Sequence, residues 1–352
     1  MAKSKIDIKK IKNIKNKDNG YETLLKDILV SMDNAQLLGG DDLVRKVRGV
    51  LSTQSPGLDV AIGRGGIPLG RLSIIAGADG TGKTTLALHV AAECQKMGGI
   101  VIYIDLEYKL DPDYARAIGI DTEHFIISYP PYLEAVFEKG EKLIEIAKRY
   151  REETKARVPI LIILDSMNSA ITKEQTEANY EDKHYSPQAR VFSNCLPKFM
   201  RKISEEDVAL LFIAQYRKKI GVIFGDDFSM IGGFAPKHNA SLIMMINRVG
   251  FDKDKNDKVG NRVKIECVKN QIAPPFKKTE CLIEYGKGFN REYSLLWHAE
   301  NCGIIEKKSN YYIFESEKIG YGTKKTIKVL KSNKELYKKI LKKLNKKELV
   351  GN

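Results

Sequence analysis

The chain has 352 residues and a formal net charge of +14, with 59 lysines and arginines against 45 acids. That length exceeds one minimal domain and leaves room for a large core with smaller attachments. No run of about 18 apolar residues occurs, and Met1-Ala2-Lys3-Ser4-Lys5 is followed by no apolar segment, so neither a membrane span nor a secretory leader is expected, and a cytoplasmic location is.

The basicity sits at the ends. Residues 1–17 hold seven lysines and one aspartate, residues 323–352 hold eleven lysines and two acids, and the stretch between is close to neutral. Such tails favour polyanions or arise simply as solvated surface, and charge alone does not choose. Residues 1–18 read as disordered. Over 21–36 the residues Tyr21, Leu24, Leu25, Ile28, Leu29 and Met32 recur at helical spacing, which predicts an amphipathic helix ending before Gly39-Gly40. Its apolar stripe either packs on the chain's own core or docks as an arm on a neighbouring copy.

From residue 46 onward, apolar strands alternate with amphipathic helices, the pattern of an α/β domain with a largely parallel central sheet. Strands are predicted at 71–76, 100–105, 160–164, 208–214, 241–247, 263–269 and 280–284. Ligands of such sheets gather at the carboxyl ends of the strands.

After the first of these strands comes Gly77-Ala78-Asp79-Gly80-Thr81-Gly82-Lys83-Thr84-Thr85, a full match to G-x-x-x-x-G-K-[ST] between a strand and a helix. Backbone N–H groups surround a phosphate only where side chains are absent and the chain can take positive φ, which Gly77, Gly80 and Gly82 are expected to supply. The helix N-terminus adds partial positive charge, Lys83 reaches the outer phosphates, and Thr84 offers its hydroxyl to Mg²⁺.

Two further strand ends carry acids. Pro159-Ile160-Leu161-Ile162-Ile163-Leu164-Asp165-Ser166 is a buried strand closing on a carboxylate, which makes Asp165 a second metal-supporting group beside Thr84. Ile102-Tyr103-Ile104-Asp105-Leu106-Glu107 offers two candidates for the acid that orients an attacking water, and spacing does not decide between Asp105 and Glu107. The five cysteines and five histidines fit neither a disulfide framework nor a zinc pattern, so no metal is expected beyond that carried with a nucleotide.

These segments, together with Leu51-Ser52-Thr53, Gly65-Gly66-Ile67-Pro68-Leu69-Gly70-Arg71, Leu110-Asp111-Pro112, Gln215-Tyr216-Arg217-Lys218-Lys219-Ile220-Gly221-Val222-Ile223-Phe224-Gly225, Val268-Lys269-Asn270 and Glu317-Lys318-Ile319-Gly320-Tyr321-Gly322, resemble the bacterial RecA recombinases over roughly residues 50–322. The resemblance implies a RecA-type phosphate-loop ATPase core at 46–290, an N-terminal basic segment and polymerisation helix at 1–45, and a small α+β domain that gathers duplex DNA at 291–352. It implies an ATP- and Mg²⁺-dependent enzyme that forms helical filaments of its own copies on single-stranded DNA, pairs them with duplex DNA and exchanges strands. Carried over by position, Glu107 activates water, Gln215 senses the γ-phosphate, and Lys269 reaches a neighbour's ATP. Asp111, Tyr114 and Tyr285 hold the adenosine end, while Ser166 lies beside the metal acid.

Two DNA-binding loops are implied near 179–190 and 216–233. The first contains His184, Tyr185 and Arg190; the second contains Arg217, Lys219, Ile220, Phe224, Gly232 and Gly233. Apolar and aromatic groups wedge between bases, cations meet phosphates, and glycines allow close approach.

Three departures stand out: Gln271 replaces the second cation of a lysine pair, Pro197 replaces an arginine and should alter local helix geometry, and the tail is lysine-rich where bacterial members are acidic. They suit a viral or mobile-element member. A ring helicase would lack the Lys219-to-Gly233 loop, a small-molecule kinase would need an arginine-rich lid, and a non-catalytic ATP-binding regulator would differ only in the role of Glu107.

Overall fold

The computed structural model describes residues 19–32, 47–179, 187–218, 228–230, 233–254 and 257–350. The expected disordered segment 1–18, the Gly39-Gly40 pair and the loop residues His184, Tyr185, Lys219, Ile220, Phe224 and Gly232 lie outside them. The chain divides into two units, Met1–Lys46 and Val47–Asn352. In the first, α1 (Asn19–Ser31) is shorter than the expected 21–36, and its Tyr21, Leu24 and Ile28 are exposed.

The second unit begins with β1 (Val50–Leu51), α2 (Pro56–Ile62) and β2 (Ile67–Pro68), then β3 (Leu72–Gly77), α3 (Lys83–Lys96), β4 (Ile100–Asp105), α4 (Pro112–Ile118), β5 (Phe125–Ser128), α5 (Leu133–Thr154) and β6 (Ile160–Asp165). It continues through α6 (Lys173–Glu177), α7 (Pro187–Ile203), β7 (Val208–Lys218), β8 (Phe228–Met230), α8 (Phe234–Asn239), β9 (Ala240–Asp254), β10 (Asp257–Asn270), β11 (Lys278–Glu284) and β12 (Gly288–Phe289). Last come α9 (Arg291–Asn301), β13 (Glu306–Lys308), β14 (Tyr311–Phe314), β15 (Glu317–Tyr321), α10 (Gly322–Ser332) and α11 (Lys334–Val350).

The main sheet runs in the order β12-β11-β10-β9-β3-β7-β6-β4-β5, with β8 attached only to β7. From β9 to β5 every neighbour is parallel, and β10 to β12 extend the sheet antiparallel. The central strands are largely apolar where both faces of the sheet are covered. Alternate residues then serve opposite cores. Ile75, Tyr103, Leu161, Ile163, Leu211 and Ile213 join one with α3. Ile74, Ile104, Ile162, Leu164, Leu210 and Phe212 join the other with α5 and α7. There Gly140 of α5 lets α7 come close, since a Cβ would lie 2.7 Å from the Phe199 ring.

The proline at 197 lies inside a helix. Helix α7 is assigned continuously through it, and the residue is exposed, so the missing N–H costs one helical hydrogen bond on the outer face. A third core unites Leu295, Leu296, Tyr312, Phe314, Leu330, Ile340 and Leu344 with Val60 of α2. Strands β13 to β15 form a small antiparallel sheet beside it.

Candidate functional site

The glycine loop joins β3 to α3 at the carboxyl edge of the sheet. Gly80 and Gly82 take left-handed φ values of 67° and 92°, which side chains disfavour. Gly77 works differently from expectation: it lies in ordinary strand backbone, and its missing side chain matters for space, since a Cβ would sit 2.7 Å from the Ile246 carbonyl oxygen. Within the loop, Thr81 Oγ1 and Lys83 Nζ donate to the Ala78 carbonyl at 2.8 and 2.9 Å, while Asp79 faces outward. Burial pulls the Lys83 ammonium below its usual range, opposed by the charges of Asp79, Asp165 and Glu107.

Strands β4 and β6 end in register, with Asp105 opposite Asp165. Asp165 Oδ2 accepts from Thr84 Oγ1 at 2.7 Å and from the buried Tyr103 hydroxyl at 2.5 Å. Burial pushes the Asp165 carboxyl upward against those two hydrogen bonds. The pair left open by spacing is separated by geometry. Asp105 accepts the backbone N–H groups of Glu107, Lys109 and Leu110 at 3.0, 3.0 and 3.1 Å, so it holds the turn after β4. Glu107 instead accepts from side chains: Ser166 Oγ at 2.6 Å, Ser169 Oγ at 3.4 Å and Lys109 Nζ at 3.0 Å. Burial favours its neutral form, yet the Ser166 and Lys109 interactions outweigh burial and hold the carboxyl below its ordinary range.

Gln215 pairs with Gly77 across the parallel β3–β7 ladder, next to the loop. Its backbone is gripped by Asn168: Gln215 N–H donates to Asn168 Oδ1 at 2.7 Å, and Asn168 Nδ2 donates to the Gln215 carbonyl at 3.3 Å. Asn168 and Ser169 escaped the sequence reading. The signal was present, since Asp165-Ser166-Met167-Asn168-Ser169 puts three further polar residues directly after a wholly apolar strand.

At the far end of the loop, the Tyr114 hydroxyl lies 2.9 Å from Thr85 Oγ1. Asp111 caps α4 by accepting from Asp113 N–H at 2.9 Å. Tyr285 is half-exposed and donates to Asn261 Oδ1 at 2.8 Å, while Asn261 Nδ2 reaches the Gly80 carbonyl at 3.3 Å. Asn261 thus ties the tyrosine to the loop, and nothing local in the sequence marks it. Tyr108, which follows Glu107 in sequence, and Tyr129, both exposed, stack with ring centroids 5.1 Å apart.

The remaining residues lie apart from this cluster. Lys269 on β10 donates to the carbonyls of Lys237 and His238 at 2.8 and 2.9 Å, at the end of α8. Arg190 on α7 pairs with Glu174 at 3.3 Å on the surface. Arg217 stands opposite Ser229 in the β7–β8 ladder, and Gly233 begins α8 with φ 70°.

A glycine loop between a strand and a helix, a hydroxyl–carboxylate pair beside its lysine and a second, ionised carboxylate at the same edge of a parallel sheet define a phosphate-loop nucleoside triphosphatase. A profile of the RecA N-terminal domain matches residues 22–290, and one of the RecA C-terminal domain matches residues 294–348. Proteins named RecA from Mycobacterium sp. (strain KMS) and Nocardioides sp. are each 36% identical over 335 and 332 residues, covering 95% and 93% of this chain and 94% and 92% of the relatives. The RecA of Bifidobacterium breve is 38% identical over 301 residues, 86% of this chain and 74% of its own. The chain belongs to the RecA family, ATP-binding, DNA-dependent ATPases that exchange DNA strands in recombination and repair. No helix among the described residues is long and apolar enough to cross a membrane.

Proposed function

We propose that this chain assembles with its own copies into helical filaments on single-stranded DNA, pairs the bound strand with duplex DNA, and releases it as ATP is hydrolysed. The triphosphate lies along Gly77 to Thr85 with Lys83 on its outer phosphates, and Asp111, Tyr114 and Tyr285 face the adenosine. Thr84 and Asp165 fit a Mg²⁺ ion, because a hydroxyl and a carboxylate are the hard oxygen donors it prefers and theirs lie 2.7 Å apart. Bound there, the ion supplies charge neutralisation of the transferring phosphoryl.

Glu107 is the general base. The observation that carries this is its set of partners: Ser166, Ser169 and Lys109 keep the carboxylate ionised and aimed, whereas Asp105 is occupied by backbone N–H groups. An ionised carboxylate fixed near the phosphates can orient a water and take its proton. Gln215 donates to the γ-phosphate, and loss of that phosphate frees the end of β7 and the segment after it, which together carry Arg217, Lys219, Ile220, Phe224, Gly232 and Gly233 toward DNA. His184, Tyr185 and Arg190 belong to the other DNA-facing loop, and Lys269 acts across the contact between copies.

Two measurements test this. Glu107→Gln is expected to cut ATP turnover at least ~100-fold while ATP affinity and binding to single-stranded DNA stay within a few-fold; unchanged turnover rejects the assigned base. Negative-stain imaging with single-stranded DNA and a non-hydrolysable ATP analogue is expected to show helical filaments that vanish without nucleotide. Closed rings, or no ordered assembly, reject the filament.

A further inference from the structure

A cleft of about 830 Å³, lined by none of the glycine-loop residues, opens between α2 and the helices α9, α10 and α11. Its floor is apolar, from Val60, Leu330, Tyr337 and Leu341, and its lining carries five cations: Arg64, Arg291, Lys331, Lys334 and Lys338. Only two acids, Asp59 and Glu292, line it with them. Asp59 already accepts from Ser52 Oγ and from the N–H and hydroxyl of Thr53 at 2.6 to 2.8 Å.

The two arginines are held in place. Arg64 Nε donates to the Ile272 carbonyl at 3.0 Å, and Arg291 Nε donates to the Gln54 carbonyl at 3.2 Å with Glu93 3.5 Å from Nη2. Among the described residues none of the three lysines has an ion-pair partner. Lys334 and Lys338 lie four apart on one helix, a spacing at which like charges repel. Gln54 lines the same cleft, and its Nε2 is buried with no hydrogen-bond partner among the described residues. The three lysines are exposed at the rim, so their charge is open to an incoming anion, while the buried Gln54 amide adds a donor from within.

We infer that this cleft is a second ligand site, separate from the glycine loop, for a small phosphate-bearing molecule with a planar ring, that is, a free nucleotide. The cations receive its phosphates, and the Tyr337 ring with the aliphatic floor receives its base. The volume suits one small molecule. A duplex, by contrast, needs a long open surface.

Calorimetric titration of the full chain with ATP in Mg²⁺-free buffer tests the assignment. Two sites per chain are expected. Lys83→Ala should weaken one at least tenfold and spare the other. Lys334→Gln/Lys338→Gln should do the reverse, and its intact first site reports a folded protein. Inorganic tripolyphosphate should compete at the second site and adenosine should compete more weakly. A single site in the unmodified chain, or a second site indifferent to the lysine changes, overturns the inference. So does a single-stranded oligonucleotide that displaces ATP from the second site at lower phosphate concentration than tripolyphosphate, since the lysines then hold a DNA backbone.

Discussion

Asn168 holds both backbone polar groups of Gln215, so its removal leaves an amide near the sheet edge without its partner. Asn168→Ala is expected to lower stability by roughly 1–3 kcal/mol. It should also uncouple DNA from turnover: basal ATPase stays within a few-fold and stimulation by single-stranded DNA falls, as steady-state assays with and without DNA would show. A different residue sets an acid limit. His89 Nε2 accepts from Phe289 N–H at 2.8 Å, so Nδ1 carries the proton toward Gln54 Oε1 at 3.1 Å. Protonation would set a second N–H against that of Phe289, and burial, with Arg291 and Lys96 nearby, pulls the imidazole down to about 4. The unfolded chain binds this proton first, so stability is full above the unfolded value of about 6.5 and is lost as pH falls toward 4, by about 2 kcal/mol between pH 7 and pH 5. Asp59, pushed by burial up to about 6, works in the opposite sense between its ordinary range and 6. Urea midpoints of the unmodified chain and His89→Gln at both pH values isolate the histidine; equal slopes would refute its role.

At the scale of elements, α7 carries an exposed proline at a position where a helix loses a hydrogen bond. Pro197→Ala is expected to stabilise the chain by up to about 3 kcal/mol, seen as a raised thermal midpoint; a lowered midpoint would mean that the proline packs to some purpose. The strands were legible because residues such as Ile160 to Leu164 are apolar on both faces, and the glycine loop because its spacing is fixed by phosphate geometry. What stayed hidden was contact between distant segments. Asn261 meets Gly80 across 181 positions, and no local pattern announces it. Likewise β5 is only the four residues Phe125–Ser128 at the sheet's rim, too short a run for periodicity to mark it as a strand. The choice between Asp105 and Glu107 waited on which carboxylate the following turn consumes, a fact of backbone direction.

Over the whole unit from Val47 onward, the sheet core and the C-terminal helices share buried polar contacts. Ser294 Oγ, fully buried on α9, accepts from Gly57 N–H at 3.0 Å and pairs with Ser55 Oγ at 2.7 Å. Ser294→Ala leaves that N–H unpaired and should cost roughly 1–3 kcal/mol. Because α2, β11 and α9 interlock there, scanning calorimetry should show the heat absorption of the unit shift as one; two peaks of which only one moves would divide it. Strand β7 has a comparable reach. Its first residues are locked between β3 and β6, Asn168 pins it at Gln215, and Tyr216 to Lys218 run beyond those two neighbours in a ladder with β8, the Tyr216 hydroxyl also reaching Asn247 of β9. Such a strand is a cantilever with a clamped root. Three residues at about 3.3 Å each make an overhang near 10 Å, so a tilt of about 10° at the root swings its tip by about 2 Å, a displacement as large as many loops need to gain or lose a bound strand.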